Sequence, residues 1–189
     1  MLIEDLDHTL VRRAVEGDAA AFGELLARHR TSALRVACVV LGSPAGADDA
    51  VQDADLRAWR ARSTIDPDRP FRSWYLHVVA NAARNDRRAR GRRAALEIRE
   101  TSRAAADSVA DPAERAVTAE ERQVVLAAIN RLAEGDRLVI ALRHFEQLAE
   151  QEMADVLGCP AGTVKSRLAR AMSRLREELA TSRPEEVTG

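Results

Sequence analysis

Four aspartates crowd positions 48, 49, 53 and 55. The run Asp48-Asp49-Ala50-Val51-Gln52-Asp53 spaces three of them so that a helix presents carboxylates on one face. Oxygen ligands grouped this way suit a hard divalent cation such as magnesium, and the same ridge suits a basic protein surface. Two basic clusters are the second candidate chemistry. Residues 84–93, RNDRRARGRR, hold six Arg against one Asp, and residues 160–176 hold Lys165, Arg167, Arg170, Arg174 and Arg176 with no acid. The formal net charge of −1 hides this segregation, which fits contact with DNA at one set of patches and with a basic protein at the other. His8, His29, His77 and His144 are scattered and pair with no cysteine at metal spacing, so neither a zinc site nor a histidine-based nucleophile is indicated. Cys38 and Cys159 lie far apart inside or beside apolar helical patterns, as reduced structural thiols do.

The elements that carry these residues are helical. Apolar residues make up 46%, aromatics only 3%, and β-branched runs are scarce, so the 189 residues predict an all-α fold with almost no strand. The longest apolar stretch, near Ala37 to Leu41, falls far short of the ~20 residues of a membrane span, and the acidic start MLIEDLD shows no export signal. The expectation is a cytoplasmic protein without direct membrane insertion.

A first helical block spans about Asp7 to Gly42, broken at Gly17-Asp18, where Asp18 caps the longer second helix of the block. Phe22, Leu26, His29, Ala33, Val36 and Val40 recur as a core stripe. Ser43-Pro44 predicts the next helix start, with Ala47, Val51, Ala54, Ala58 and Trp59 inward and Asp48, Asp49, Gln52, Asp53, Leu56 and Arg57 on the other face. STIDPDRP reads as a loop, and Pro70 opens a helix from Phe71 to about Arg88 with Phe71, Trp74 and Val78 packed inward. The Ala-rich, charged residues 92–110 lack large apolar anchors and read as a flexible linker between domains at 1–91 and 111–180, with a tail at 181–189.

In the second half, Asp111-Pro112 and Thr118-Ala119-Glu120-Glu121 are helix starts, the latter a capping box. That helix should end near Gly135, with Asp136 capping a short helix bearing Leu138, Val139 and Leu142. A helix from about Glu150 to Leu157, a stop at Gly158 and a long basic helix from Pro160 form a helix-turn-helix pattern. Its second helix begins with Thr163, Lys165, Ser166 and Arg167 outward, where groove-reading side chains belong, and Val164 and Leu168 inward.

Four blocks, GDAAAFGELLARHR, DDAVQDADLRAW, PFRSWYLHVVANAARNDRR and LAEGDRLVIALRHFEQLAEQEMADVLGCPAGTVKSRLARAMSRLRE, stand in the order and spacing of one family. Over nearly its whole length the chain resembles the extracytoplasmic function sigma factors, the smallest of the bacterial sigma-70 class. The resemblance implies two small helical domains, sigma domain 2 and sigma domain 4, and a factor that lends promoter recognition to core RNA polymerase, with no catalysis and no cofactor of its own. It implies that Asp48, Asp49, Gln52, Asp53, Leu56 and Arg57 dock on the clamp helices of the largest subunit, and that the polymerase flap region is a further partner. The helix from Phe71 would open and read the minus-ten element as single-stranded DNA through Phe71, Trp74, His77 and Asn81, Asn81 matching a base-capture position. Stacking and a basic groove are the physical means. Arg84, Arg87, Arg88, Arg90, Arg92 and Arg93 would hold phosphates, and Thr163, Lys165, Ser166, Arg167 and Arg170 would read the minus-thirty-five element in the major groove. A dedicated anti-sigma factor and a stress response are implied as well.

Three positions depart from the family pattern. Asp55 stands where an aromatic or aliphatic residue is usual, and Gln147 and Ala149 replace the usual Gly and Ser before the first helix of the DNA reader. Two other readings compete. DDxxxD resembles the magnesium motif of helical prenyl-transferring enzymes, which need a larger bundle and a second acidic motif, and none comparable stands downstream. A sensor-type DNA regulator would share the C-terminal helices but lack the DDAVQD and PFRSW pieces.

Overall fold

The computed structural model describes residues 3–97 and 119–182. Among these residues the chain forms eight α-helices, one 3-10 turn and no strand. Helices α1 (Ile3–Val15), α2 (Ala19–Leu41), α3 (Ala47–Arg60) and α4 (Phe71–Glu97) build the N-terminal bundle; α5 (Ala119–Arg131), α6 (Glu134–His144), α7 (Glu150–Leu157) and α8 (Ala161–Ser182) build the C-terminal one. The helix starts expected at Asp111 and Thr118 lie outside the described residues, as do residues 98–110 of the expected linker.

Local chemistry sets most boundaries. Asp18 caps α2 by accepting from the backbone N–H groups of Ala20 and Ala21, each at 3.0 Å. Those hydrogen bonds, first that from Ala21, hold its carboxyl below the usual range. Gly42 ends α2 at φ 76 and Gly158 ends α7 at φ 62, left-handed positions that favour glycine. The start of α3 differs from expectation. Ser43 and Pro44 form a turn in which Ser43 Oγ accepts from the Ala45 N–H, and Gly46, at φ 80, is the residue before the helix. The Arg90 guanidinium lies over Gly46, 1.7 Å from where a Cβ would stand, and would have to swing aside for any larger residue. Helix α6 likewise begins at Glu134 behind Ala133, so Gly135 and Asp136 lie within its first turn, and Asp136 pairs with Arg174 instead of capping.

The N-terminal core places Leu25, Val36, Val40, Val51, Leu76 and Val79 out of water, each large aliphatic contributing ~1.5–3 kcal/mol. Leu25, not the half-buried Leu26, carries the α2 stripe, and Tyr75, Leu76, Val79 and Ala83 carry that of α4, with Trp74 and Val78 at its margin. In the C-terminal bundle Leu138, Leu142, Leu148, Met153 and Val164 play this part. The two bundles touch: α2 packs on α6 and α4 on α7.

Candidate functional site

Helix α3 buries Ala47, Ala50, Val51, Ala54 and Ala58, and small residues let it lie close to α2 and α4. Its opposite side is therefore free: Asp48, Asp49, Gln52, Asp53, Leu56 and Arg57 are all exposed, and Leu56 is 58% exposed. Asp48 pairs with Arg30 at 2.9 Å and Asp53 with Arg57 at 2.8 Å, surface pairs worth ~0–1 kcal/mol. These carboxylates point toward arginines, and among the described residues no group of three or more acids, histidines or cysteines is placed to hold a metal. An acidic ridge with one exposed leucine at its C-terminal end can bind a basic, partly apolar helix surface.

Asp55 is half-buried on the same helix and accepts from the Tyr75 hydroxyl at 2.5 Å. Burial pushes its carboxyl up, against the opposing effect of that hydrogen bond and of Arg30. Burial and Asp55 together push the Tyr75 hydroxyl well above its usual value, which keeps it the donor. The residue that departs from the family pattern thus latches α3 to α4.

Along α4 the expected single-strand-reading residues have separate fates. Phe71 is 2% exposed and stands in an aromatic cluster with Phe22, His29, Trp74 and Tyr75, the Tyr75 ring stacked at 5.7 Å. With its ring in this cluster Phe71 offers no face to a base here and fills the inward position expected of it on α4. Trp74 and His77 are half-buried and Asn81, Arg87 and Arg88 are exposed. His77, Asn81 and Arg84 form one relay: Arg84 donates to Asn81 Oδ1 at 3.2 Å, Asn81 Nδ2 lies 2.8 Å from His77 Nε2, and His77 Nδ1 lies 3.0 Å from the Val156 carbonyl oxygen. A carbonyl can only accept, so the proton is on Nδ1 and Nε2 accepts from the amide. Val156 belongs to the other bundle.

Sequence reasoning missed the acids that meet this face. Glu134 accepts from Arg84 at 2.8 Å and pairs with Arg87 at 2.7 Å, and Glu146, its side chain 1% exposed, pairs with Arg72 and with Arg35. Asp155 pairs with Arg69 at 2.5 Å. Arg137 reaches across to donate to the Val39 carbonyl at 3.1 Å and caps α5 through the Asn130 and Leu132 carbonyls. Burial, with Arg87 nearby, lowers its guanidinium from the usual value. No local pattern marks these residues, since their partners in the other bundle lie 47 (Arg87 to Glu134) or more positions away.

The basic tip of α8 is built on Val164, Ala171 and Leu175, which are buried. That seating turns Lys165, Ser166, Arg167 and Arg170 outward and leaves Thr163 half-buried at the first turn. Ser166 Oγ donates to the Thr163 carbonyl at 3.0 Å, and Arg170 Nε to that of Ser166 at 3.3 Å. Lys165 and Arg167 project from the N-terminal turns of the helix, where its dipole also favours anions.

Comparison with known proteins matches both bundles. Residues 25–93 match the family described as "Sigma-70 region 2" and residues 122–175 that described as "Sigma-70, region 4". The chain is similar to the RNA polymerase sigma factor NccH of Alcaligenes xylosoxydans xylosoxydans, 37% identical over 180 residues that cover 94% of this chain and 96% of the relative. It is also similar to the ECF RNA polymerase sigma-E factor of Escherichia coli K12, 34% identical over 174 residues that cover 87% and 90%. Among solved structures, CnrH in complex with the cytosolic domain of CnrY superposes with a TM-score of 0.67 at 32% identity, covering 94% of this chain and 99% of that one. The sigma factor RpoE of Bartonella quintana, in complex with the anti-sigma factor NepR, superposes with a TM-score of 0.70 at 25% identity, covering 86% and 98%.

Proposed function

We infer how this chain works from one premise: it belongs to the sigma-70 family, as an extracytoplasmic function sigma factor that directs transcription initiation. Its partners are core RNA polymerase and promoter DNA. The assignment of roles to individual residues is our reading. The α3 ridge of Asp48, Asp49, Gln52, Asp53, Leu56 and Arg57 docks on the clamp helices of the largest subunit. Trp74, His77, Asn81, Arg84, Arg87 and Arg88 hold the minus-ten strand once the duplex opens, and Thr163, Lys165, Ser166, Arg167 and Arg170 read the minus-thirty-five element. The flap region engages the C-terminal domain.

The observation that carries this reading is the separation of an acidic ridge ending in the exposed Leu56 on one bundle from a basic helix tip on the other, both exposed on helices. Arginine and lysine at the start of a groove-entering helix can bond guanine edges, and phosphate contacts along α4 add affinity without sequence information. The chain lends recognition and carries out no bond chemistry itself. Working beside the polymerase and chromosome, it is cytoplasmic in our reading; no described helix is long and apolar enough to cross a membrane. Control by an anti-sigma factor is proposed by analogy with the complex of RpoE and NepR.

Run-off transcription with core polymerase and a library of genomic fragments from the host is the test. The expected result is a discrete set of transcripts that core alone does not make. No factor-dependent transcript from any fragment, with the factor shown to be folded and free of an inhibitor, overturns the reading.

A further inference from the structure

We propose that Lys165 is an acylation site, modified by an acyl phosphate whose phosphate is held by Arg143 and Arg176, and that the modification withdraws a cation which reads the minus-thirty-five duplex. The second half rests on the reading of α8 given above. Of the 29 lysine and arginine residues in the chain 28 are arginine, and Lys165 is the single lysine. A guanidinium keeps its proton, whereas a lysine amine in its neutral form attacks acyl donors. Among side chains, amine acylation is therefore confined to one position, and that position is exposed on the face assigned to the major groove.

The surroundings of Lys165 suit such a donor. It lines a cleft of about 390 Å³ with Arg143, Arg176 and Glu150, over a floor that includes the buried Met153 and Val164. Among the described residues no acid pairs with Lys165 or Arg176, and Arg143 donates to the Leu148 carbonyl at 3.1 Å. Arg174, on the same helix, is by contrast taken by Asp136. Three cations thus share the cleft with one acid, and none of them is paired with it. An anion with an apolar tail fits there: the phosphate takes charge-assisted hydrogen bonds from the guanidinium groups, and the acyl chain lies on the apolar floor.

The step balances without a further reactant. The neutral Lys165 nitrogen attacks the acyl carbonyl carbon, the N–C bond forms, and the C–O bond to the phosphate breaks with its electron pair on the leaving oxygen. Inorganic phosphate departs with the proton that the nitrogen gives up. The amide left behind carries no charge and cannot replace the ammonium as a donor to a guanine edge.

Acetyl phosphate is the probe, and peptide mass spectrometry on the full chain reads the rate at each amine. Arg167→Lys gives an internal comparison, an exposed amine two residues on that does not line the cleft. Lys165 is expected to take up the acetyl group about tenfold faster than the amine introduced at position 167. The double variant Arg143→Ala, Arg176→Ala should lower the rate at Lys165 about tenfold with acetyl phosphate and leave it unchanged with p-nitrophenyl acetate, a neutral donor without a phosphate. Arg176→Ala alone, which leaves the Leu148 carbonyl its donor, should shift the rate in the same sense, with helix content by circular dichroism unchanged. Equal rates at positions 165 and 167, or equal slowing with both donors, overturns the site. In duplex binding, treatment with acetyl phosphate should weaken the wild type about tenfold on the minus-thirty-five element and leave Lys165→Arg, which has no side-chain amine to modify, as it was. Complete acetylation of Lys165 with unchanged duplex affinity overturns the proposed effect. Run-off transcription by the untreated factor is independent of these results, so the site can fail while the functional reading stands.

Discussion

Replacing Ala149 with serine should stabilise the C-terminal bundle by about 1 kcal/mol, within the ~0.5–2 range measured for such caps. Ala149 is the residue before α7, and its φ of −67 and ψ of 159 already have the extended form of a helix cap. Half of a capping box is in place, since the Glu152 carboxylate accepts from the Ala149 N–H at 2.8 Å. The other half is missing because alanine has no oxygen to accept from the first-turn N–H groups. Position 149 is exposed, so a serine hydroxyl there incurs no burial cost. The companion departure gives a smaller expectation. Gln147 has φ 53, a left-handed conformation that costs a non-glycine residue ~1–2 kcal/mol. Gln147→Gly removes that strain but adds ~0.4–1 kcal/mol of freedom to the unfolded chain, so its net gain runs from about zero to ~1.6 kcal/mol, centred a little below that of Ala149→Ser. Scanning calorimetry reads both. A gain of 1 kcal/mol moves Tm by ~4–8 °C if the C-terminal bundle melts alone and by ~2–4 °C if the whole chain melts as one unit. The reasoning is refuted if Ala149→Ser leaves Tm unchanged or lowers it.

Three further outcomes are expected. Because burial raises the Asp55 carboxyl above its ordinary value of 3.8, the stability it contributes is complete below that value and lost as pH rises through its folded value; Asp55→Asn, which keeps an acceptor for Tyr75, should show a larger advantage over wild type in urea unfolding at about pH 7 than at about pH 4, and an equal difference at both counts against the latch. Leu56→Asp, at a side chain already 58% exposed, should leave the melting curve in place but weaken core polymerase binding by about tenfold, or ~1.4 kcal/mol. Lys165→Ala and Arg167→Ala should each lose ~1–3 kcal/mol of discrimination between the cognate minus-thirty-five duplex and a scrambled one while polymerase binding is kept; a loss of polymerase binding with intact discrimination reverses the assignment.

What could be read from the sequence was what short-range chemistry decides. The Asp18 cap, the Gly158 stop and the outward ridge of α3 arise from residue type and helical period, and the structure has them. Two starts were misplaced because a nearby group took the capping residue for another use. Ser43 turns its hydroxyl onto Ala45, leaving Gly46 to precede α3, and Asp136 is held by Arg174 from α8. Phe71 carried two readings, because an aromatic at a loop-helix junction suits base stacking and core packing equally. Only the approach of Phe22, His29 and Tyr75 from other turns decides for the core. Asp55 was recognised as unusual, but its partner lies on the next long helix, 20 residues on.

The residues least legible in the sequence are those that couple the bundles. Glu134, Glu146 and Arg137 lie in or beside a helix whose pattern explains only Leu138, Val139 and Leu142, yet all three are at least partly withdrawn from water. A charge taken out of water without partners is costly, so their burial requires the arginines and carbonyls of the N-terminal bundle that meet them. For Glu146, whose side chain is 1% exposed, the attraction of Arg72 and Arg35 is set against the cost of taking the charge out of water. Glu134 takes Arg84 and Arg87, and Glu146 takes Arg72 and Arg35, beside apolar residues of α6 and α7 that are buried in the same core.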